Sequence, residues 1–280
     1  MLESFSNWLA LAPLWVIGLV IFGGLMAAVT IGKTVGRHRK TETPRKGGDD
    51  AESGEQAITL SSVLGLLALL VAFTFSIALD RFDTRRVNVL LEANAIGTTY
   101  LRAQLLEQPH RARISKLLAD YTDARLAVAT ASAGPRQRAL LATSDRLIVD
   151  LWAATVAASP SMRPYGFSHS FLDTMNNLID MDAARKAGRQ AHVPAAVFLA
   201  LFLYQFVAAA VISHVVGGRK SRRTAWVLLG LFGLLLVLII DIDRPTSGVI
   251  TESQEPMLQL QAFLKAQPPG SFDRFTATAP

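Results

Sequence analysis

The chain has 280 residues, of which 51% are hydrophobic and only 18% are charged, and its formal net charge is +6. A soluble domain ordinarily carries about a quarter charged residues. The deficit lies in a few long apolar stretches, which argues for a membrane protein. The absence of cysteine excludes disulfides, thiolate metal sites and cysteine nucleophiles. The basic residues border the apolar stretches or are mixed with acids, which argues against nucleic acid as a partner.

Four apolar stretches are each long enough to cross a hydrocarbon core of about 30 Å as a helix, which takes about 20 residues. No stretch of useful length has the alternating period of a β-strand. The sequence therefore predicts an all-α integral membrane protein with four transmembrane helices, and the lipid bilayer is its first expected partner. The predicted order is an N-terminal tail and first span (1–32), a flexible charged loop (33–56), the second span (57–79), an extramembrane helical domain (80–192), the third span (193–216), a basic loop (217–223), the fourth span (224–242) and a C-terminal tail (243–280).

Helical spacing of apolar residues continues beyond the second span, and neither Gly nor Pro interrupts residues 66–96. The second span and the segment after it are thus predicted to form one long helix that ends near residue 108. Further amphipathic helices are predicted at 110–131, 136–158 and 168–190, with a proline-containing loop at 159–166.

The two short loops carry the charges that set the orientation. Residues 33–56 include six Lys or Arg, and residues 217–223 include four. Short basic loops favour the cytoplasm. The N terminus, the central domain and the C terminus are then expected outside, in the periplasm of a bacterium whose inner membrane holds the protein.

The segment that follows the second span resembles a known family. Residues 79–86 (Leu-Asp-Arg-Phe-Asp-Thr-Arg-Arg) and 92–102 (Glu-Ala-Asn-Ala-Ile-Gly-Thr-Thr-Tyr-Leu-Arg) are similar to the signature of the bestrophin-like domain family of bacterial membrane proteins. Shorter matches follow in the same order at 117–121 with Arg125, at 177–180 with Arg185 and at 243–245 with Gly248. The resemblance covers roughly residues 57–255.

The resemblance implies an oligomer with a role in ion permeation, because the family is named for a distant similarity to bestrophins, which are pentameric ion channels. Bestrophin pores are lined from the second span and have an apolar neck of side chains at helical spacing. The candidate aromatics here are Phe73 and Phe75, which lie about 200° apart around a helix and do not both face one pore. The neck residues are therefore not transferred to this chain.

Three side chains in the spans are candidates for a pore or vestibule. Asp241 is the one acid placed inside the end of an apolar span, where an ionisable group needs water, a partner or a pathway. It lies about 25 Å along the helix from residue 224, so it is either an interfacial residue or part of an ion site. Thr74 and Ser76 either line a pore or bond a preceding carbonyl or a neighbouring helix.

Charged residues at the ends of the second and fourth spans form a second group of candidates. Asp243 and Arg244 are expected to pair with each other or with Asp80 and Arg81. Such a cluster holds two spans together or forms the mouth of a conduction path, and the structural interpretation is the leading one.

A polar stripe continues along the predicted long helix. Arg85, Asn88 and Glu92 recur at helical spacing. Arg85 and Glu92 are therefore predicted to be structural polar anchors, and Glu92 is expected to be buried in the central domain.

No motif for catalysis or for a cofactor is recognisable. The chain lacks a Gly-rich phosphate loop, a nucleophile elbow and a paired-carboxylate motif, and its five histidines are scattered. We therefore expect no enzyme, no cofactor and no metal site. The leading hypothesis is an oligomeric ion channel or ion-permeation protein of the inner membrane, with inorganic ions as partners. The alternative is a membrane-anchored periplasmic sensor or scaffold that acts through a partner protein.

Overall fold

The structure is a computed structural model that describes residues 2–40, 49–132, 134–162, 166–215, 219–245 and 248–275. Its helices are α1 (Leu2–Leu11), α2 (Leu14–Lys40), α3 (Asp49–Ala103), α4 (His110–Thr130), α5 (Pro135–Met162), α6 (Phe167–Gln190), α7 (Ala195–Val215), α8 (Arg219–Asp243) and α9 (Glu255–Ala266), followed by a 3-10 turn at Asp273–Phe275. The described residues contain no strand. The predicted all-α fold class is thus confirmed.

Four helices in the described part of the chain are long and apolar enough to cross a membrane. The stretches that contain them are Leu14–Gly32, Ile58–Ala103, Phe167–Ser213 and Arg223–Asp243. Each of the four spans predicted from hydropathy overlaps one of these stretches. The prediction of four long apolar helices is therefore confirmed.

The chain divides into two compact units. The first unit consists of Met1–Asp80 and His192–Ile250, and the second consists of Arg81–Ala191 and Thr251–Pro280. The first unit therefore holds α1, α2, α7, α8 and the N-terminal part of α3. The second unit holds α4, α5, α6, α9 and the C-terminal part of α3.

Small residues let α2 approach α7 closely in the first unit. A Cβ atom on Gly24 would lie 2.5 Å from the ring of Phe206, and one on Gly32 would overlap the backbone of Ala210. These glycines are eight residues apart and share one face of α2. In an apolar environment the hydrophobic effect does not drive helices together, so they associate through van der Waals packing. Small residues allow this packing because they let the two backbones approach closely.

Helix α3 is 55 residues long and runs without a break from Asp49 to Ala103. The prediction of one helix that continues beyond the second span is therefore confirmed. The helix ends about one turn before residue 108, because the chain tightens at Gln104, whose N–H donates to the Leu101 carbonyl at 3.2 Å. A bond from residue i to i−3 is typical of a helix end.

Three predicted loops (33–56, 159–166 and 217–223) are shorter than the sequence indicated, the last because α8 already begins at Arg219. Residues 33–40 belong to α2 and residues 49–56 to α3, whereas 41–48 lie outside the described residues. Both helical ends contain good helix formers such as Lys, Arg, Glu and Gln and no proline. Helix α5 also continues through Pro160 to Met162. A proline so near the end of a helix removes a single hydrogen bond of its last turns.

Both tails contain a helix that the sequence analysis did not identify. Helix α1 precedes the first span, and its Phe5 packs edge-on against Phe202 of α7 with the ring centroids 6.0 Å apart. Helix α9 buries Met257, Leu260 and Leu264 in the core of the second unit. The spacing of these three residues places them on one face of the helix. Helix α9 is thus part of a folded bundle, and the predicted C-terminal tail is not a simple tail.

The second unit has one continuous hydrophobic core that is built from all five of its helical segments. Its fully buried side chains include Ile96 and Tyr100 of α3, Ile114, Leu118 and Tyr121 of α4, Leu151 of α5, Phe171, Met175 and Leu178 of α6, and Met257 of α9. A cluster of buried polar side chains, with Glu92 at its centre, lies among these apolar side chains.

Candidate functional site

Glu92 lies at the centre of a buried charge cluster in the second unit. Its side chain is fully buried, with Nε of Arg125 at 2.8 Å from one carboxylate oxygen. The other carboxylate oxygen accepts a hydrogen bond from Arg185. The hydroxyl of Tyr121 donates to Glu92 at 2.6 Å. Helices α3, α4 and α6 thus each contribute a charged or polar group to one site.

Asp182 extends this cluster along α6. Its carboxylate lies 3.0 Å from the hydroxyl oxygen of Tyr121 and 3.3 Å from Nη1 of Arg125. Lys186, one turn further along α6, bridges Asp182 and Asp145 of α5. The buried cluster thus joins α3, α4 and α6, and the partly exposed Lys186 connects it to α5.

The environment keeps Tyr121 protonated and Arg125 charged. Burial, together with the negative charges of Glu92 and Asp182, raises the pKa of Tyr121 well above its ordinary value. Burial alone would lower the pKa of Arg125, but the nearby carboxylates outweigh this effect and raise it. Tyr121 thus remains a hydrogen-bond donor, and Arg125 remains a cation, throughout the physiological pH range.

The segment before α9 is held by one buried and one partly buried contact. Arg85 of α3 places Nε 2.9 Å from Glu252, and both side chains are almost fully buried. Arg185 donates a second hydrogen bond, to the side-chain oxygen of Gln254 at 2.7 Å. The structure thus connects residues 252–254 to α3 and α6.

The charged side chains of the buried cluster lie close to groups of opposite charge. The carboxylate of Glu92 accepts hydrogen bonds from Tyr121 and Arg185, and it lies 2.8 Å from Nε of Arg125. In the part of the chain that the structure describes, no three His, Asp or Glu side chains are grouped as metal ligands. The arrangement suits a structural role, in which the charges fix how the helices pack.

Sequence reasoning selected Arg85 and Glu92 but missed Asp182 and Glu252. A signal for Asp182 exists, because it lies three and four residues before Arg185 and Lys186 on the same face of α6. No local signal identifies Glu252. Its partner Arg85 is 167 residues away in the chain, and only the packing of the C-terminal segment brings the two together.

Asp241 closes the turn that follows α8 in the first unit. It is 5% exposed, and its two carboxylate oxygens accept hydrogen bonds from the backbone N–H groups of Val249 and Ile250, at 2.8 and 3.2 Å. A Cβ atom on Gly248 would overlap the Asp241 carboxylate. Gly248 is therefore needed for this close approach.

Asp243 and Arg244 contact segments other than those that the sequence suggested. The carboxylate of Asp243 accepts the Val193 N–H at 2.9 Å and lies 3.5 Å from Nδ1 of His192. Arg244 donates to the backbone carbonyl of Leu9 in α1. These contacts join the end of α8 to the start of α7 and to α1, all within the first unit.

The remaining candidates lie on α3. Thr74 is 3% exposed, and its hydroxyl donates to the Leu70 carbonyl at 2.8 Å. Ser76 and Asp80 are exposed, and Arg81 is half-buried. No ion pair of Asp80 is found among the described residues. Thr74 and Asp80 thus lie in different environments on the same helix.

One face of α3 is exposed along most of its length, and its residues recur in alternating steps of three and four. We call this face the α3 stripe. In the first unit it comprises Leu70, Phe73, Ile77 and Asp80; in the second it comprises Thr84, Val87, Leu91, Asn94, Thr98 and Leu101. The average step of 3.5 residues is the repeat with which helices pack in a left-handed supercoil.

Large apolar side chains on the α3 stripe are well exposed. Phe73 is 61% exposed, whereas Phe75 is half-buried off the stripe. In the second unit Val87, Leu91 and Leu101 are 50%, 42% and 46% exposed. Exposed apolar side chains in such number on one helix face mark a surface that contacts lipid or another protein.

Comparison with known proteins identifies the family. The profile of the Bestrophin-like domain matches residues 23–257. No curated protein matches the sequence. One similar solved structure is a crystal structure described as that of a membrane protein. It superposes with a TM-score of 0.61 at 13% sequence identity, over 89% of this chain and 98% of that chain.

At this identity the structural likeness shows a shared fold and nothing more specific. The family match is independent of it and spans most of the chain, including all the predicted spans except the first part of span one. It also agrees with the resemblance seen in residues 79–86 and 92–102. The chain belongs to the bestrophin-like domain family of membrane proteins.

Proposed function

We propose that this protein is an oligomeric ion channel or ion-permeation protein of the bacterial inner membrane, in which several copies of the chain place the α3 stripe around a common axis. The observation that carries this proposal is the apolar exposure of the stripe beyond the predicted span, at Val87, Leu91 and Leu101. Family membership supports it, because the family is named for its similarity to a class of channels.

A second copy of the chain is the occupant that best fits the stripe. The 3.5-residue repeat allows equivalent helices to pack along a shared seam. Thr84, Asn94 and Thr98 interrupt the apolar residues at intervals. Burying polar side chains between tightly packed helices without water costs free energy. The same side chains remain hydrated where the helices surround a water-filled pore. The composition of the stripe therefore favours a wet axis over a closed helical seam.

We further propose that the second unit lies outside the membrane, on the periplasmic side. Its helices α4 and α5 are not among the apolar candidate spans, and its core includes buried ion pairs that involve Glu92 and Arg125. The basic composition of residues 33–56 and 217–223 supports a cytoplasmic location for these two segments.

Reporter insertions test this orientation. A reporter that is active only in the cytoplasm should be active when it is inserted at Gly47 or after Gly218, and inactive when it is fused after residue 270. The comparison is internal, because each fusion serves as the control for the others. The reverse pattern would contradict the proposed orientation.

Cysteine modification tests the proposed function. The chain contains no cysteine, so Leu91→Cys introduces a single thiol on the α3 stripe. We expect purified wild-type protein in liposomes to conduct ions, and we expect a bulky thiol reagent to block most of the flux through Leu91→Cys. The reason is that each copy contributes one modified side chain to the axis.

Val149→Cys is the matched control, because Val149 of α5 is also apolar and is 66% exposed. This variant should react with the reagent and retain its flux. Equal block of both variants, or no block of Leu91→Cys despite complete modification, would place the path elsewhere. Well-folded wild-type protein without ion flux would contradict the channel proposal and favour a sensor or scaffold that acts through a partner.

A further inference from the structure

We infer that the permeating ions are cations and that Asp80 selects them. This inference rests on the proposed function, since it requires the α3 stripe to surround the conduction path. Asp80 is exposed and is the single charged residue of the stripe from Leu70 to Leu101. The other polar members of the stripe, Thr84, Asn94 and Thr98, are uncharged.

Arg85 and Arg86, which follow Asp80 on α3, are paired with other acids. Arg85 is 2% exposed and lies beside Glu252 in the second unit. Arg86 lies 3.4 Å from Asp83, so these two side chains together add no net charge. For Asp80 itself, the described residues provide no ion pair. Among the described residues, Asp80 is therefore an exposed acid without an ion-pair partner.

Asp241 is less suited to this role than Asp80. Its carboxylate is buried and accepts two backbone N–H groups, at Val249 and Ile250. These two hydrogen bonds direct the Asp241 carboxylate oxygens toward the backbone of residues 249 and 250. Asp80 carries no such bonds to the described backbone and has its charge at the surface of the helix.

Symmetry turns one carboxylate per chain into a ring of like charges. When several copies of α3 surround an axis, each contributes one Asp80 at the same height. The potentials of these charges add, so cations are concentrated and anions are repelled at the ring. The effect of each charge decreases with ionic strength, because the Debye length shortens from about 30 Å at 0.01 M salt to about 3 Å at 1 M.

Reversal potentials across planar bilayers in a KCl gradient test the inference. We expect wild-type protein to prefer K⁺ over Cl⁻, and we expect Asp80→Asn to reduce the permeability ratio by roughly an order of magnitude at low salt. The reduction should be smaller at 1 M salt. Asp150→Asn, which alters an exposed acid of α5, is the matched control and should keep the wild-type ratio.

Chemical restoration of the charge separates selectivity from folding. Asp80→Cys should lose the preference for K⁺, regain it after reaction with a negatively charged thiol reagent, and prefer Cl⁻ after reaction with a positively charged one. A conducting Asp80→Asn protein with unchanged reversal potential would overturn the role of Asp80. Wild-type preference for Cl⁻ would overturn the cation assignment while leaving the channel proposal intact. Absence of any conductance from folded wild-type protein would overturn both.

Discussion

Replacing Glu92 with Ala should lower the free energy of unfolding by about 3–5 kcal/mol, the range found when one partner of a buried ion pair is removed. The Glu92 carboxylate faces Arg125 and Arg185, whose side chains are 1% and 2% exposed. Without it, Asp182 remains as the nearby acid for Arg125, and two buried guanidinium groups retain most of their desolvation cost. Thermal unfolding of the purified protein in detergent measures the effect.

Asp83→Ala provides the control, because it also removes one acid of an ion pair on α3. Asp83 is 57% exposed and lies 3.4 Å from Arg86. Exposed pairs contribute about 0–1 kcal/mol, so this variant should unfold near the wild-type temperature. If Glu92→Ala kept its full stability and lost ion flux, Glu92 would belong to the functional site rather than to the scaffold.

Replacing Asn88 with Pro should destabilise the protein by about 3 kcal/mol or more. Asn88 lies inside α3, which is helical without interruption from Asp49 to Ala103. A proline there removes a backbone hydrogen bond and clashes with the carbonyl one turn earlier. The loss should appear as a lower unfolding temperature in detergent.

Asn88→Ala separates the backbone effect from the side-chain effect. The Asn88 amide donates to the Ala184 carbonyl at 3.3 Å, a bond that contributes about 1 kcal/mol. Ala should therefore cost much less than Pro. Equal unfolding temperatures for the Pro variant and the wild type would show that α3 does not continue as a helix through this position.

The candidate site was only partly predictable from sequence. Burial of Glu92 was expected because it falls on a polar stripe within the family-like segment, and the structure places it in the bundle core. Asp243 and Arg244 were recognised as polar anchors, but their contacts with Val193 and Leu9 were not foreseen. Residue spacing indicates which face of a helix a side chain shares, but it does not indicate which distant segment meets that face.

The sequence by itself determined the all-α class, the four long apolar helices and the continuation of α3 beyond the second span. Each of these depends on the hydropathy and helical period of one contiguous stretch. Tertiary structure alone decided that Glu252 meets Arg85 and that α9 completes the core of the second unit. These contacts join residues far apart in the chain, and they form because burial of apolar side chains and pairing of buried charges require partners that local sequence does not specify.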